Sequence, residues 1–184
     1  LEETGKVYYE PSAGFLRPEL AISTQLQLAA QNDAVIKTHT KVLGISPISG
    51  GGVQIQTNQG TFEAAQAVIS AGPWVKDFLP SFVKTQFKIC RQILHWIPKK
   101  GKAFELGKTP IFMWGYDSGP EDFIYGFPSL DGATIKVASE SFVERNHPDT
   151  ILRDVSEAEC EDFIQNKIGN RFNHIEKKVV QSKV

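Results

Sequence analysis

Very little in this sequence marks it out by thiol content, charge or hydrophobic length. It has two cysteines, Cys90 and Cys160, far apart and in no metal-binding or redox spacing. They read as free thiols, which points to a reducing, cytoplasmic compartment. The formal net charge is -1, so there is no electrostatic case for nucleic acid or an anionic membrane as partner. No apolar run approaches the ~20 residues that a membrane-spanning helix needs. His39, His95, His147 and His174 are scattered without i,i+4 pairing, so no metal site is indicated. G-x-G-x-x-G, the P-loop, H-E-x-x-H and G-x-S-x-G are all missing. The first residues, Leu1-Glu2-Glu3-Thr4, carry neither an initiator methionine nor a signal-peptide pattern. The last residues, from Lys177 to Val184, resemble a strand cut short. Both ends suggest a piece of a longer protein.

What is present is ordinary globular composition, 41% hydrophobic and 22% charged over 184 residues. Its pattern alternates between helix and strand signals and predicts a mixed α/β (α+β) fold. A short strand is expected over Lys6–Tyr9, then a turn at Glu10-Pro11-Ser12-Ala13-Gly14. Pro18 is a good first-turn residue for a helix whose face is Leu20, Ala21, Thr24, Leu28 and Ala29, ending at Asn32-Asp33. Strands follow over Ala34–Ile36, Lys41–Ile45, Val53–Thr57 and Thr61–Ala64, with turns at Gly50-Gly51-Gly52 and Asn58-Gln59-Gly60. The nearly continuous apolar run Ala67–Ala71 reads as a strand buried on both faces, with Gly72 and Pro73-Trp74 opening a short helix. Such a strand, turn and helix start allows close backbone approach to a ligand, and is also an ordinary tight connection.

Residues 84–97 are the longest strand candidate, interrupted by Arg91-Gln92; Cys90 within it reads as a packed thiol. Then come Ile111–Gly115, Asp122–Phe127 and Ala133–Ser139, separated by the polar turns Tyr116–Pro120 and Leu130–Gly132. That is the pattern of an antiparallel meander. Ser156 is a good N-cap for a helix reaching Ile168, with Phe163, Ile164 and Ile168 on its packing side and Gly169-Asn170 as its stop. In the last strand of the meander, Ile135 and Val137 share one face while Thr134, Lys136 and Ala138 share the other. Lys136 admits two explanations from this pattern: a solvated lysine that discourages edge pairing, or a cation aimed into a pocket across the sheet.

The order of several short motifs resembles a known family. Glu10-Pro-Ser-Ala-Gly14 is followed by a helix and Thr38-His-Thr-Lys-Val42, then by Val68-Ile-Ser-Ala-Gly-Pro-Trp74. Arg91-Gln92, Tyr125-Gly-Phe-Pro-Ser129 and Ile135-Lys136 come after them. Together they look like the flavin-dependent amine oxidases of the monomeric sarcosine oxidase and N-methyl-tryptophan oxidase type, in the D-amino-acid-oxidase superfamily. The resemblance implies an internal fragment. Residues 13–82 would be the middle part of an FAD-binding dinucleotide fold, and residues 83–171 a largely antiparallel substrate domain with flanking helices. Residues 1–12 and 172–184 would be connecting strands.

The resemblance also implies roles. Val42, Ala71, Gly72 and Trp74 match cofactor-binding positions. Met113 and Tyr125 match the wall of the substrate cavity. Lys136 matches the catalytic lysine near flavin N5 that promotes reaction of reduced flavin with oxygen, where a fixed ammonium stabilises developing negative charge. Glu140 stands where the better-known members carry a histidine near the substrate; an acid there favours a more cationic substrate, or is simply a surface residue at a strand end. The activity implied is FAD-dependent oxidation of a secondary amine or N-methyl amino acid to an imine, with oxygen giving hydrogen peroxide. A related dehydrogenase with another acceptor, and a non-catalytic α/β binding module, remain alternatives. Lacking a glycine-rich pyrophosphate loop, the fragment itself is expected to be inactive.

Overall fold

A computed structural model describes residues 5–119, 121–145 and 147–184. The first four residues, and Pro120 in the turn expected after Tyr116, lie outside the described residues. The chain separates into two compact units, Leu1–Lys41 and Val42–Val184.

The first unit holds one helix, α1 (Pro18–Gln31), with Pro18 in its first turn and Glu19 near its positive end. Asn32 caps it and Asp33 follows at φ 62. The expected apolar face is present in sequence, yet no residue of α1 is buried. Two expected strands are absent: Lys6–Tyr9 and Ala34–Ile36 are exposed and unpaired in any sheet. A short apolar run becomes a strand only where an edge offers hydrogen-bond partners, and among the described residues neither segment pairs with a strand.

The second unit begins with an antiparallel meander of β1 (Val42–Pro47), β2 (Val53–Thr57) and β3 (Gly60–Ala64). Its turns fall at the predicted Gly50–Gly52 and Asn58–Gly60. The predicted buried strand Ala67–Ala71 is not there. Among the described residues the segment pairs with no strand, has no regular structure and is mostly exposed, with Val68 91% exposed. It leads into a short 3-10 helix, Gly72–Asp77, and a short helix, α2 (Ser81–Lys84). The long strand expected over 84–97 is divided into β4 (Ile89–Cys90) and β5 (Leu94–Pro98). The interruption is at Arg91-Gln92, whose side chains reach other segments. Cys90 is half-buried rather than packed in the core.

The main sheet adds the meander β6 (Phe112–Gly115), β7 (Phe123–Phe127) and β8 (Thr134–Ser139), as the alternation predicted. Further along, β9 (Glu144–Arg145) pairs with β4, and β10 (Gln181–Lys183) joins the main sheet. The sheet order is β10-β5-β8-β7-β6, antiparallel throughout. Strand β8 is therefore the middle strand, which removes the edge-lysine explanation of Lys136.

One face of this sheet is covered. The capping box of Ser156 and Glu159 starts α3 (Glu157–Asp162), which continues as a π-helical turn, Phe163–Ile168. A regular α-helix was expected to Ile168. The wider π turn brings Phe163, Ile164 and Ile168 all into contact with the sheet, and Gly169 at φ 47 ends it. They pack with Phe172 and Ile175 against Ile97, Ile124, Ile135 and Val137. Each fully buried isoleucine contributes ~1.5–3 kcal/mol. The alternation that buries Ile135 and Val137 turns Lys136 to the opposite, open face.

Candidate active site

The open face is ordered by strand register. In one row, Met113 on β6 is opposite Tyr125 on β7, Tyr125 is opposite Ala138 on β8, and Ala138 is opposite Leu94 on β5. In the next, Phe127 is opposite Lys136, and Lys136 is opposite Trp96. Directly opposed residues of antiparallel strands share a face, and rows two residues apart are separated by ~7 Å. Glu140 follows immediately after β8, at the Tyr125 end.

The sheet thus brings Met113, Tyr125, Lys136 and Glu140 to one region. Met113 is on an edge strand and 75% exposed; Tyr125 and Lys136 are half-buried; Glu140 is exposed. Burial, and then the negative charge of Glu140, push the Tyr125 phenol above its ordinary pKa. Tyr125 therefore stays protonated and can donate a hydrogen bond throughout the neutral range. The Lys136 ammonium lies 5.5 Å from the centre of the Trp96 ring and 5.2 Å from that of Phe127. Trp96 and Phe127 were not singled out from sequence. Trp96 lies at the centre of β5 and Phe127 at the end of β7, and no local pattern in the sequence brings the two together.

Second-layer contacts fix this face. The Gln92 amide donates to the Ser141 carbonyl at 2.8 Å, and the Ser141 N–H donates to Gln92 Oε1 at 3.0 Å. This reciprocal pair pins the backbone just after Glu140. At the other end of β8, Asp131 accepts from Ala133 N–H at 2.8 Å and Thr134 N–H at 2.7 Å, and from the Ser129 and Thr134 hydroxyls. Burial alone would raise the Asp131 pKa; these hydrogen bonds outweigh it and hold the carboxyl below its usual range.

The residues expected at the cofactor stand elsewhere on the chain. Val42 opens β1, paired with Thr57. Ala71 precedes the 3-10 helix, Gly72 takes φ 51 at its start, and Trp74 donates its indole N–H to Asp149 at 2.8 Å. His147, 3.3 Å from Asp77, ties the same helix to the same segment.

On the covered side of the sheet, a cavity of about 390 Å³ lies beside His95, Arg91 and Glu159. Its buried cation is already used: Arg91 pairs with Glu159 at 2.5 Å and donates to the carbonyls of Leu152 and Asp154. Among the described residues no group of three or more His, Cys, Asp and Glu side chains could hold a metal ion. No helix among them is long and apolar enough to cross a membrane.

The open face gathers aromatic side chains around one cation. Trp96, Tyr125 and Phe127 supply aromatic surface, and the Lys136 ammonium supplies a positive charge that no described carboxylate neutralises.

Comparison with known proteins gives a family. A family profile described as FAD dependent oxidoreductase (DAO) matches residues 2–182. The monomeric sarcosine oxidase of Streptomyces avermitilis is 32% identical over 158 residues, covering 83% of this chain and 40% of that protein. The N-methyl-L-tryptophan oxidase of Escherichia coli is 34% identical over 125 residues, covering 68% of this chain and 32% of that protein. Among solved structures, the open form of NikD, an amino acid oxidase of nikkomycin biosynthesis, superposes with a TM-score of 0.60 at 15% identity. It covers 88% of this chain and 42% of NikD. The NikD likeness concerns the fold. The chain spans about 40% or less of the length of these two curated relatives.

Proposed function

The chain belongs to the FAD dependent oxidoreductase family, and on that premise we propose that it is part of an oxidase of secondary amines or N-methyl amino acids. One observation carries the proposal: the middle strand of the main sheet presents Lys136 on an open aromatic face, in the same region as Met113, Tyr125 and Glu140. When bound, FAD would accept a hydride equivalent from the carbon next to the substrate nitrogen and pass electrons to oxygen, giving imine and hydrogen peroxide.

The chain's own residues then divide the work. Lys136 is the catalytic residue of the proposal, a preorganised cation where oxygen reduction develops negative charge. Met113 and Tyr125 wall the substrate space, with the protonated Tyr125 phenol as a donor. Glu140 attracts a substrate that carries positive charge on nitrogen. Val42, Ala71, Gly72 and Trp74 are proposed to lie along the cofactor, within an FAD-binding part spanning 13–82; the substrate part spans 83–171. The free thiols of Cys90 and Cys160 support a cytoplasmic site of action.

The test uses the full-length protein with Lys136→Met. The expected result is peroxide production from a secondary amine, with the rate constant for oxygen reoxidation of the reduced enzyme falling at least tenfold, on the order of 1.4 kcal/mol or more. An unchanged oxygen rate removes the role of Lys136, and reoxidation only by an artificial acceptor assigns a dehydrogenase instead.

A further inference from the structure

We propose that Trp96 and Phe127 are positioning residues: a pair of aromatic jaws that holds the Lys136 ammonium in place without neutralising it. This inference rests on the role given to Lys136 above.

A lysine on an open sheet face has a flexible four-carbon stem and a strongly hydrated head, so left alone its charge is spread over several ångströms. A fixed cation is worth more to a reaction than a mobile one, because no reorganisation is needed when negative charge develops. Proteins usually fix a lysine with a carboxylate. A carboxylate, however, cancels the field that the lysine is there to provide. Here the fixing groups are uncharged. The two ring faces attract the ammonium through their quadrupoles and leave its net charge and its three N–H donors available.

The placement follows from register rather than from chance proximity. Trp96 is directly opposite Lys136 on β5, and Phe127 is directly opposite on β7. Both flanking strands are interior to the sheet, with β10 outside β5 and β6 outside β7. The ring centres, at 5.5 and 5.2 Å from Nζ, are both inside the ~6 Å range of the interaction. Among the described residues, Lys136 makes no hydrogen bond or ion pair from Nζ. The backbone on either side is braced as well: Val180 N–H donates to the Trp96 carbonyl at 3.0 Å, and Gly126, next to Phe127, is enclosed between Phe112 and β8.

The experiment uses the full-length holoenzyme with Trp96→Leu, Phe127→Leu, the double variant, and Trp96→Phe with Phe127→Tyr as conservative replacements. Two quantities are read: the rate of reductive methylation of Lys136 by mass spectrometry, and the rate constants of the two half-reactions. In the double variant Lys136 should be methylated several-fold faster. Oxygen reoxidation should slow by about fivefold to tenfold, more than flavin reduction by the amine does. The conservative variants should restore both quantities. A double variant with parental methylation and parental oxygen rates overturns the proposal. So does an equal fall in both half-reactions that the conservative variants do not rescue, since that is the signature of a disturbed sheet. Lys136→Met separates this proposal from the one it rests on. If that variant keeps its oxygen rate, the lysine's role is lost, and the methylation rate alone decides whether the rings hold the side chain.

Discussion

At His95 the covered face of the sheet holds a titratable group that the proposed chemistry does not use. The ring is 3% exposed, stacked on Phe163 with centroids 4.2 Å apart, and shares a hydrogen bond between Nδ1 and the Ser182 hydroxyl at 2.9 Å. Burial first of all lowers its pKa, from 6.5 to about 4; nearby Glu159 opposes that shift and Arg91 adds to it. The consequence for stability has a definite sign. Between pH 6.5 and about 4 the unfolded chain binds a proton that the folded chain does not, so stability falls on acidification through that window and levels off below it. The loss from this residue is on the order of 3 kcal/mol. His95→Phe keeps the stack on Phe163 and gives up the hydrogen bond, at a cost of about 1 kcal/mol at pH 7. Urea midpoints of the two proteins at pH 7 and pH 4.5 check this. The variant should be the less stable at the higher pH, and the gap should close or reverse at the lower one. A gap of the same size at both values would show that His95 does not carry the pH dependence.

Strand β7 shows at the level of an element why Tyr125-Gly126-Phe127 reads as it does. A Cβ at Gly126 would run into the Phe112 ring and lie 2.8 Å from the Lys136 carbonyl oxygen. The first obstacle is a side chain and can shift; the second is the backbone of the middle strand and cannot shift cheaply. Gly126→Ala should therefore cost about 1–3 kcal/mol and lower Tm by roughly 2–12 °C. Gly14→Ala, where nothing lies within 4 Å, is the comparison and should change Tm little. Equal melting temperatures for both variants would contradict this account of β7. The meander was legible in the sequence because each of its strands alternates over a few residues between polar turns, and because Lys136 and Ile135 declare their faces locally. The N-cap at Ser156 and the packing residues Phe163, Ile164 and Ile168 were legible as well, because a capping side chain and a helical repeat are also local signals; that Glu159 closes a capping box was not read. Two features were not. The run Ala67–Ala71 has the composition of a buried strand, but a strand needs a neighbouring edge, and composition does not supply one. The jaws around Lys136 depend on pairing of β5 with β8, strands far apart in sequence, so local pattern holds no record of them.

At the scale of the whole molecule, the exposed apolar surface and the cofactor can be argued together. Val68, Phe82 and Leu152 are 91%, 78% and 77% exposed, and α1 buries none of its residues. Large apolar side chains left open in this number mark surfaces that something else covers. The curated relatives extend well beyond the span matched by this chain, which reaches 40% of the sarcosine oxidase and 32% of the N-methyl-L-tryptophan oxidase. We expect the remainder of the full-length protein to cover those surfaces and to complete the cofactor site. The chain's share of that site is one-sided. On the proposed reading it would supply an aromatic face and a cation for the ring, while its sequence contains no G-x-G-x-x-G loop to hold the phosphates. A ligand held by part of its surface loses most of its favourable contacts, yet costs nearly as much translational and rotational freedom to bind as one fully enclosed. The 184-residue chain purified alone should therefore bind a hydrophobic dye strongly, carry no stoichiometric flavin absorbance, and oxidise no amine. The full-length protein should be yellow, bind less dye per residue, and release peroxide with a secondary amine. One flavin per chain in the purified 184-residue protein would mean that the open sheet face holds the cofactor without a phosphate loop, and the division of the site argued here would be wrong.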